Sequence, residues 1–384
     1  MHLFALISGV ICLAAWLYLL LLNVQFWMVR RFEAEAPGPE TSHGLIAAVI
    51  PARNEADVIM ESVGSLLRQN YSGPLHIFVV DDNSTDGTAA AAREAAANGP
   101  HTSALTVISG ERLPPGWSGK LWAVQQGIGQ ALLVKPQFLL LTDADIRHSP
   151  DNLATLVAVA ERGNYDLASF MVKLHCRSFA EKLLIPAFVF FFFMLYPPRW
   201  IADPRRRIAA AAGGCILIRP EALTRAGGIA AIRQEIIDDC ALAAAVKRSG
   251  GKVWLGVTPD TCSLRAYQSF GEIERMVART AFNQLRHSAW LLVGAMMGLA
   301  LVYLLPVGLL FSRSPMLAGL GAAACLLMFT AYLPMVRSYG LNILWGLTLP
   351  FSAAFYMIAT LHSAIRYWSG KGGEWKGRAQ DSLR

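Results

Sequence analysis

Three pairs of acidic residues at short spacing have the composition of working chemistry: Asp81-Asp82, Asp143 with Asp145, and Asp238-Asp239. The first pair follows an apolar run, where a carboxylate can accept hydrogen bonds from a base or a ribose. The rest of that loop serves local structure: Ser84, Thr85 or Asp86 can cap the Ala-rich helix through Ala97, and Gly87 permits a tight turn. Capping does not require two adjacent carboxylates. Asp143 and Asp145 are hard oxygen donors suited to Mg²⁺ or Mn²⁺, with phosphates and water filling the other positions. Alternate residues of a strand point to opposite sides, so this pair works as a metal site only if the backbone bends. Asp238-Asp239 has two readings. Both residues can decorate a helix N-terminus, or one can act as a general base toward a hydroxyl.

These residues need elements to hold them. Leu45 to Pro51 and Ile77 to Val80 are continuous apolar runs of strand length, and Glu55 to Gln69 between them has helical spacing. That is a βαβ unit with parallel, buried strands. In such sheets ligands collect at the carboxyl ends of strands, which is where Pro51-Ala52-Arg53-Asn54-Glu55 and the loop from Asp81 to Thr88 fall. A third strand, Phe138 to Leu141, leads into Asp143, and Asp238-Asp239 opens a helical pattern to Val246. Residues 36–286 have ordinary charge density and a length that suits one large α/β domain.

The remainder of the chain is unusually apolar. The 384 residues are 54% hydrophobic and 16% charged, against roughly 25% charged in soluble proteins. That excludes a water-soluble globule as well as disordered and fibrous chains. Leu3 to Val29 carries no charge and exceeds the roughly 20 residues that cross a bilayer. Only His2 precedes it and no cleavage site ends it. Residues 1–31 are therefore expected to be an uncleaved anchor, with Arg30-Arg31 holding the adjoining domain in the cytoplasm. Ser288 to Phe311, Met316 to Met335 and Asn342 to Ile365 make residues 288–365 a second membrane region. If all three cross, the basic tail over 366–384 lies outside, against the positive-inside tendency. Two to three crossings are expected, with Asn342 to Ile365, which contains Pro350, re-entrant or interfacial. Leu183 to Trp200 is aromatic and apolar, but Pro186 and Pro197-Pro198 leave about ten uninterrupted residues, too few to span. Residues 183–200 are expected to be a helix in the membrane interface, with a buried core helix as the alternative.

The net charge is +7, and the basic residues gather beside apolar segments, so anionic lipid headgroups are a fitting partner. No basic run interleaved with aromatics lies away from a membrane segment, and nucleic acid is not an expected partner. The six cysteines show neither CxxC nor histidine at metal spacing and read as small hydrophobes.

Six motifs in order carry a family resemblance: PARNE (Pro51 to Glu55), VDDNSTDGT (Val80 to Thr88), GWSGKLWA (Gly116 to Ala123), LLTDADI (Leu140 to Ile146), AAAAGGCILIRPEAL (Ala209 to Leu223) and IIDDCALA (Ile236 to Ala243). The set resembles the family 2 glycosyltransferases and, among them, the hopene-associated enzymes of bacterial hopanoid clusters, relatives of ceramide glucosyltransferases. The resemblance implies an α/β catalytic domain of GT-A type, Rossmann-like with a mixed, mostly parallel sheet, between N- and C-terminal transmembrane helices. It implies a nucleotide-diphosphate sugar as donor, a UDP-sugar being expected. Pro51, Ala52, Arg53, Glu55 and Asp82 would form the pocket for base and ribose. Asp143 and Asp145 match the pair that holds Mg²⁺ or Mn²⁺ on the diphosphate, with Lys120 or Arg279 adding positive charge. Asp239 matches the general base, with Asp238 its neighbour, and Gly213 and Gly214 match a loop near donor sugar and acceptor. Arg279 stands where a Q-x-x-R-W motif supplies its Arg, but Gln and Trp are absent, so processive polysaccharide synthesis is not implied. Trp375-Lys376-Gly377-Arg378 resembles a tail motif near the membrane face, which puts Trp375 and Arg378 on the acceptor side.

The expected protein is thus a multi-pass enzyme of the bacterial inner membrane, its catalytic domain in the cytoplasm, inverting a sugar onto a lipid hydroxyl related to hopanoids. The rivals are transfer to a polyprenyl phosphate, a ceramide-like lipid or a carotenoid, and a non-catalytic membrane scaffold. Four intact acids, Asp82, Asp143, Asp145 and Asp239, argue against the scaffold. A transporter lacks the intramembrane charge it would need.

Overall fold

Apolar runs without polar alternation become the middle of a sheet covered on both faces. The computed structural model describes residues 2–23, 25–29, 33–34, 44–97 and 104–370, with the backbone of 374–375 and 378–379. Arg30-Arg31 and most of the basic tail lie outside the described residues. After helix α1 (His2–Leu17), the strands are β1 (Ile46–Ala52), β2 (Leu75–Asp81), β3 (Leu105–Ser109), β4 (Phe138–Leu141), β5 (Ile146–Arg147), β6 (Leu167–Lys173), β7 (Ile216–Ile218) and β8 (Val253–Ser263). They form one sheet in the order β3-β2-β1-β4-β7-β6-β8-β5. The first four run parallel to one another; β7 opposes β4 and β6, and β8 lies parallel to β6 with β5 antiparallel at the edge. All of β1 and β4 is buried. The expected βαβ unit is present as β1, α2 (Ala56–Leu67) and β2. Pro51 is tolerated in β1 because pairing with β4 ends at Val49 and Leu141, before the missing N–H would interrupt it. With the sheet go α3 (Thr88–Ala97), α4 (Gly119–Ala131), α5 (Asn152–Arg162), α8 (Pro220–Arg225) and α9 (Asp238–Arg248), whereas α7 (Pro198–Ala202) runs across the division between Arg199 and Trp200. This unit comprises Phe32–His175, Trp200–Arg265 and Glu374–Arg384.

A second compact unit comprises Met1–Arg31, Cys176–Arg199 and Ala266–Gly373. It contains α1, α6 (Phe179–Leu195), α10 (Phe270–Ala278), α11 (Ala281–Gln284), α12 (Ala289–Leu299), α13 (Leu305–Leu310), α14 (Pro315–Ser338) and α15 (Leu349–Trp368). Among the described residues five helical stretches are long and apolar enough to cross a membrane: Leu3–Leu22, Phe179–Ala202, Ala289–Leu310, Pro315–Ser338 and Ile343–Trp368.

Two prolines act differently from expectation. The helix α6 runs through Pro186 instead of stopping there, since a proline removes one ladder bond and the helix is firmly fixed at its start. Ser178 Oγ accepts from Glu181 N, and fully buried Glu181 accepts from the N–H groups of Arg177, Ser178 and Tyr267. The helix ends ahead of Pro197, where the α conformation is disfavoured. The aromatic stretch is also a packing element: Phe190 and Phe193 are fully buried, and the Phe191 ring meets Tyr303 at 5.4 Å and Tyr356 at 5.6 Å, edge to face. Pro350 likewise does not break a helix. Ile343–Thr348 form a 3₁₀ turn, and Pro350 stands in the first turn of α15, where no N–H is needed.

Candidate active site

Helix α4 lies directly on the sheet. A Cβ at Gly127 would stand 2.4 Å from Val49 Cγ1 and 2.9 Å from Val80 Cγ2, so glycine is what permits the approach. Ser118 caps α4, its Oγ accepting from Leu121 N, and this puts Lys120 in the first turn. Lys120 Nζ donates to Asp143 Oδ1 at 2.8 Å and to Asp238 Oδ2 at 3.0 Å. Asp238 and Asp239 form the first turn of α9. Asp239 Oδ2 accepts from Gly213 N at 2.9 Å and its Oδ1 from Cys240 N at 2.7 Å. A Cβ at Gly213 would stand 3.4 Å from Asp143 Oδ2, 3.5 Å from Lys120 Nζ and 3.6 Å from Asp239 Oδ2. The four residues therefore converge on one point, in a cleft also lined by Pro51, Thr142 and Leu242.

Three carboxylates here share one ammonium. Burial opposes charge on Lys120, but Asp143 and Asp238 outweigh it and hold the ammonium well above its usual range. Burial, with Asp238 alongside, pushes the Asp239 carboxyl up to about 6, against the pull of Lys120 and of two backbone N–H groups. A carboxyl that titrates near working pH is matched to general base work. A step that needs Asp239 ionised should lose rate as pH falls through about 6, roughly tenfold per unit below it. A profile of kcat against pH checks this, and one that stays flat down to roughly pH 5 contradicts it.

Beyond β4 the chain turns at Ala144 and Asp145 before β5, which meets the bend that the acid pair requires. Asp143 faces Lys120. Asp145 Oδ2 accepts from Ser263 Oγ and from Arg265 Nε, both at 3.1 Å, and its Oδ1 has no hydrogen-bond partner among the described residues. The other fork nitrogen of Arg265, Nη2, donates to Glu55 Oε1 at 2.7 Å. Glu55 belongs to a loop tied to its neighbour: Asn54 N donates to Ser84 Oγ, Glu55 N to Thr88 Oγ1 and Ala56 N to Asp86 Oδ2. Asp86 also accepts from Thr88 N at the start of α3, so among the three capping candidates it makes this bond. Arg53 Nη1 donates to Asp82 O at 2.6 Å and lies 3.6 Å from Asp82 Oδ2. Ala52 O accepts from Asp82 N. The segments that carry Ala52, Arg53, Glu55 and Asp82 are thus tied to one another.

Behind the turn runs a buried chain of polar groups. Thr142 Oγ1 donates to Gly214 O at 2.7 Å and meets His148 Nε2 at 3.0 Å; His148 Nδ1 meets Asn152 Nδ2, and Asn152 Oδ1 accepts from Thr261 Oγ1. Burial lowers the His148 imidazole to about 3 and keeps it neutral. Sequence reasoning missed Arg265, Ser263 and this network. The available signal was an Arg two residues past the end of a strand, the same edge that supplies ligand contacts in β1, β2 and β4.

The two glycines separate. Gly213 opens on the cleft, whereas a Cβ at Gly214 would stand 2.9 Å from Val172 Cγ2 and 3.1 Å from Ile146 Cδ1, so Gly214 serves packing. Arg279 ends α10 and belongs to the helical unit. Trp375 and Arg378 pair in a two-stranded ribbon, Glu374–Trp375 with Arg378–Ala379; their side chains lie outside the described residues.

The family model described as glycosyl transferase family 2 matches residues 47–239, just over half of the chain. The chain belongs to glycosyl transferase family 2. The matched span reaches from β1 to Asp239 and so includes every residue of the convergent cluster. An uncharacterised protein of Methanocaldococcus jannaschii is 32% identical over 123 residues, covering 32% of this chain and 44% of that one. An undecaprenyl-phosphate 4-deoxy-4-formamido-L-arabinose transferase of Yersinia enterocolitica is 30% identical over 125 residues, covering 32% of this chain and 35% of that one. The chain thus spans less than half the length of either relative. The solved structure of a mannosyltransferase from Pyrobaculum calidifontis, in complex with GDP-Man and Mn²⁺, covers 95% of this family 2 chain and 99% of its own. Its TM-score is 0.55 at 20% identity, a likeness of fold: the sheet is of the GT-A type, with apolar helices before and after it.

Proposed function

We propose that this protein is a membrane-bound inverting glycosyltransferase that moves a sugar from a nucleotide-diphosphate sugar, with a UDP-sugar expected, to a lipid hydroxyl of the hopanoid kind. The observation that carries the reading is Asp239. It is a carboxylate pushed up to about 6, held by Gly213 N, with Lys120 and Asp143 converging on the same point. In the proposed step Asp239 takes the proton of the acceptor hydroxyl as its oxygen attacks the anomeric carbon. The bond from that carbon to the diphosphate breaks on the opposite face, so the configuration inverts. Lys120 meets the charge that collects on the departing diphosphate.

Asp143 and Asp145 fit a divalent cation. They are hard oxygen donors within one turn, Asp145 Oδ1 has no hydrogen-bond partner among the described residues, and the surroundings hold more carboxylate than cationic charge. No group of three His, Cys, Asp or Glu able to hold a metal occurs among the described residues, so phosphate and water would complete the shell. Bound there, Mg²⁺ or Mn²⁺ would supply positive charge to the diphosphate. Pro51, Ala52, Arg53, Glu55 and Asp82 would hold base and ribose, and Arg279, Trp375 and Arg378 would stand on the acceptor side.

A lipid acceptor agrees with the five apolar helices, read as a membrane anchor, a C-terminal membrane region and the aromatic helix Phe179–Ala202, with the catalytic domain in the cytoplasm at a bacterial inner membrane. The Yersinia relative, named for undecaprenyl phosphate, favours a second reading, transfer to a polyprenyl phosphate. A phosphate monoester has a second pKa near 6 and is already an anion at neutral pH, so it needs no base. The raised carboxyl at Asp239 therefore favours a hydroxyl. Lipid profiling of a deletion strain is expected to show the loss of a glycosylated lipid that carries the sugar through a glycosidic bond to a former hydroxyl oxygen. Loss of a lipid-linked sugar phosphate would support the second reading, and an unchanged profile would contradict both.

A further inference from the structure

We propose that Arg265, with Ser263, is a positioning residue that fixes the metal carboxylate Asp145 and couples it to the nucleoside loop. This rests on the divalent-cation reading of Asp143 and Asp145. Arg265 stands two residues beyond β8 and uses two nitrogens of one rigid fork for two acids, Nε to Asp145 Oδ2 at 3.1 Å and Nη2 to Glu55 Oε1 at 2.7 Å. Ser263 Oγ donates to the same Asp145 oxygen at 3.1 Å and accepts from Arg265 N at 3.2 Å. Among the described residues every hydrogen bond on the Asp145 carboxylate thus falls on Oδ2, which leaves Oδ1 without one. The side chain of Asp145 is 12% exposed, so these bonds act on a largely buried carboxylate.

A carboxylate fixed through one oxygen presents the other to a cation without losing rotational freedom on binding, and partners of this kind change metal affinity by roughly 10–100-fold. The second arm gives the coupling. Glu55 lies between Arg53 and the start of α2, in the loop tied to Ser84, Asp86 and Thr88, so a nucleoside that settles this loop also settles Arg265, and through it Asp145. Lysine at this position keeps the positive charge but offers a single point donor, which cannot span both acids. Arg265→Lys therefore separates geometry from charge.

The test is Mn²⁺ titration of the full-length protein in detergent, read by the EPR signal of free Mn²⁺, with no nucleotide and again with UDP or GDP. Arg265→Lys and Ser263→Ala are expected to weaken Mn²⁺ binding, Arg265→Lys by roughly tenfold, and in Arg265→Lys the nucleotide, whose phosphates still ligate the ion, should strengthen it less than in wild type. Arg225→Lys, which disturbs an arginine ion-paired with Asp166 elsewhere, should bind Mn²⁺ as wild type does. In turnover assays Arg265→Lys should raise the donor KM more than it lowers kcat. If wild type binds Mn²⁺ and both variants match it, the positioning role is overturned and the metal reading stands. If wild type binds no Mn²⁺ with or without nucleotide, the metal reading falls and the role of Arg265 falls with it. Circular dichroism checks that the variants are folded, and Ser263→Ala, the smaller change, carries the test if Arg265→Lys is not.

Discussion

Asp239→Asn is expected to lower turnover by about 10²–10⁴-fold, the range a positioned general base contributes, while donor binding stays close to wild type. Asparagine keeps the size of the side chain, and its carbonyl oxygen can still accept from Gly213 N, the contact that fixes Asp239 at 2.9 Å. What it loses is the basic oxygen. Because the loss falls on kcat and not on the donor KM, the pattern separates a base from a binding residue. The substitution should also erase the acid limb of the pH profile, since the group that titrates near 6 is gone. Near-normal turnover in Asp239→Asn would remove this residue from the base role and shift the reading toward an acceptor that is already ionised.

The second large effect concerns charge. Asp143, Asp238 and Asp239 surround Lys120, an excess of negative charge into which the reading brings a diphosphate. Like charges at close range in a partly buried site cost several kcal/mol unless a cation intervenes. Chelation with EDTA is therefore expected to abolish turnover, and adding back Mg²⁺ or Mn²⁺ to restore it. Asp143→Ala is expected to cost roughly 10²–10³-fold, comparable to removing one stabilising group from a developing charge. Full turnover in EDTA would refute the metal requirement. Activity in Asp143→Ala that returns at high Mn²⁺ would show that the carboxylate holds the ion without touching the reacting atoms.

Local pattern carried much of the fold and the acids. Ile46–Ala52, the Ile77–Val80 stretch of β2 and Phe138–Leu141 are legible as strands because their residues are buried on both faces, and the acids follow from strand ends. The two readings of Asp238-Asp239 could not be separated in sequence. Their difference depends on Lys120 and Gly213, which are distant along the chain and meet them only when α4 and α9 pack. Arg265 was missed for the same reason, since 210 positions separate it from Glu55. The prolines misled in the other direction. Pro186 and Pro350 are local signals of interruption, but the buried Glu181 box and the 3₁₀ lead-in to α15 override them. Local chemistry sets where acids stand at strand ends, whereas packing sets which acid meets which base.

The central claim, proton removal by Asp239 during a single displacement on a lipid hydroxyl, is tested most directly by one assay. Purified protein in lipid nanodiscs is given an α-linked nucleotide-diphosphate sugar, a divalent cation and a membrane lipid extract, and the anomeric configuration of the glycolipid formed is read by NMR. A β-linked sugar on a lipid hydroxyl, formed by wild type and absent with Asp239→Asn, is the expected result. An α-linked product, or a glycolipid formed by Asp239→Asn at the wild-type rate, would contradict it.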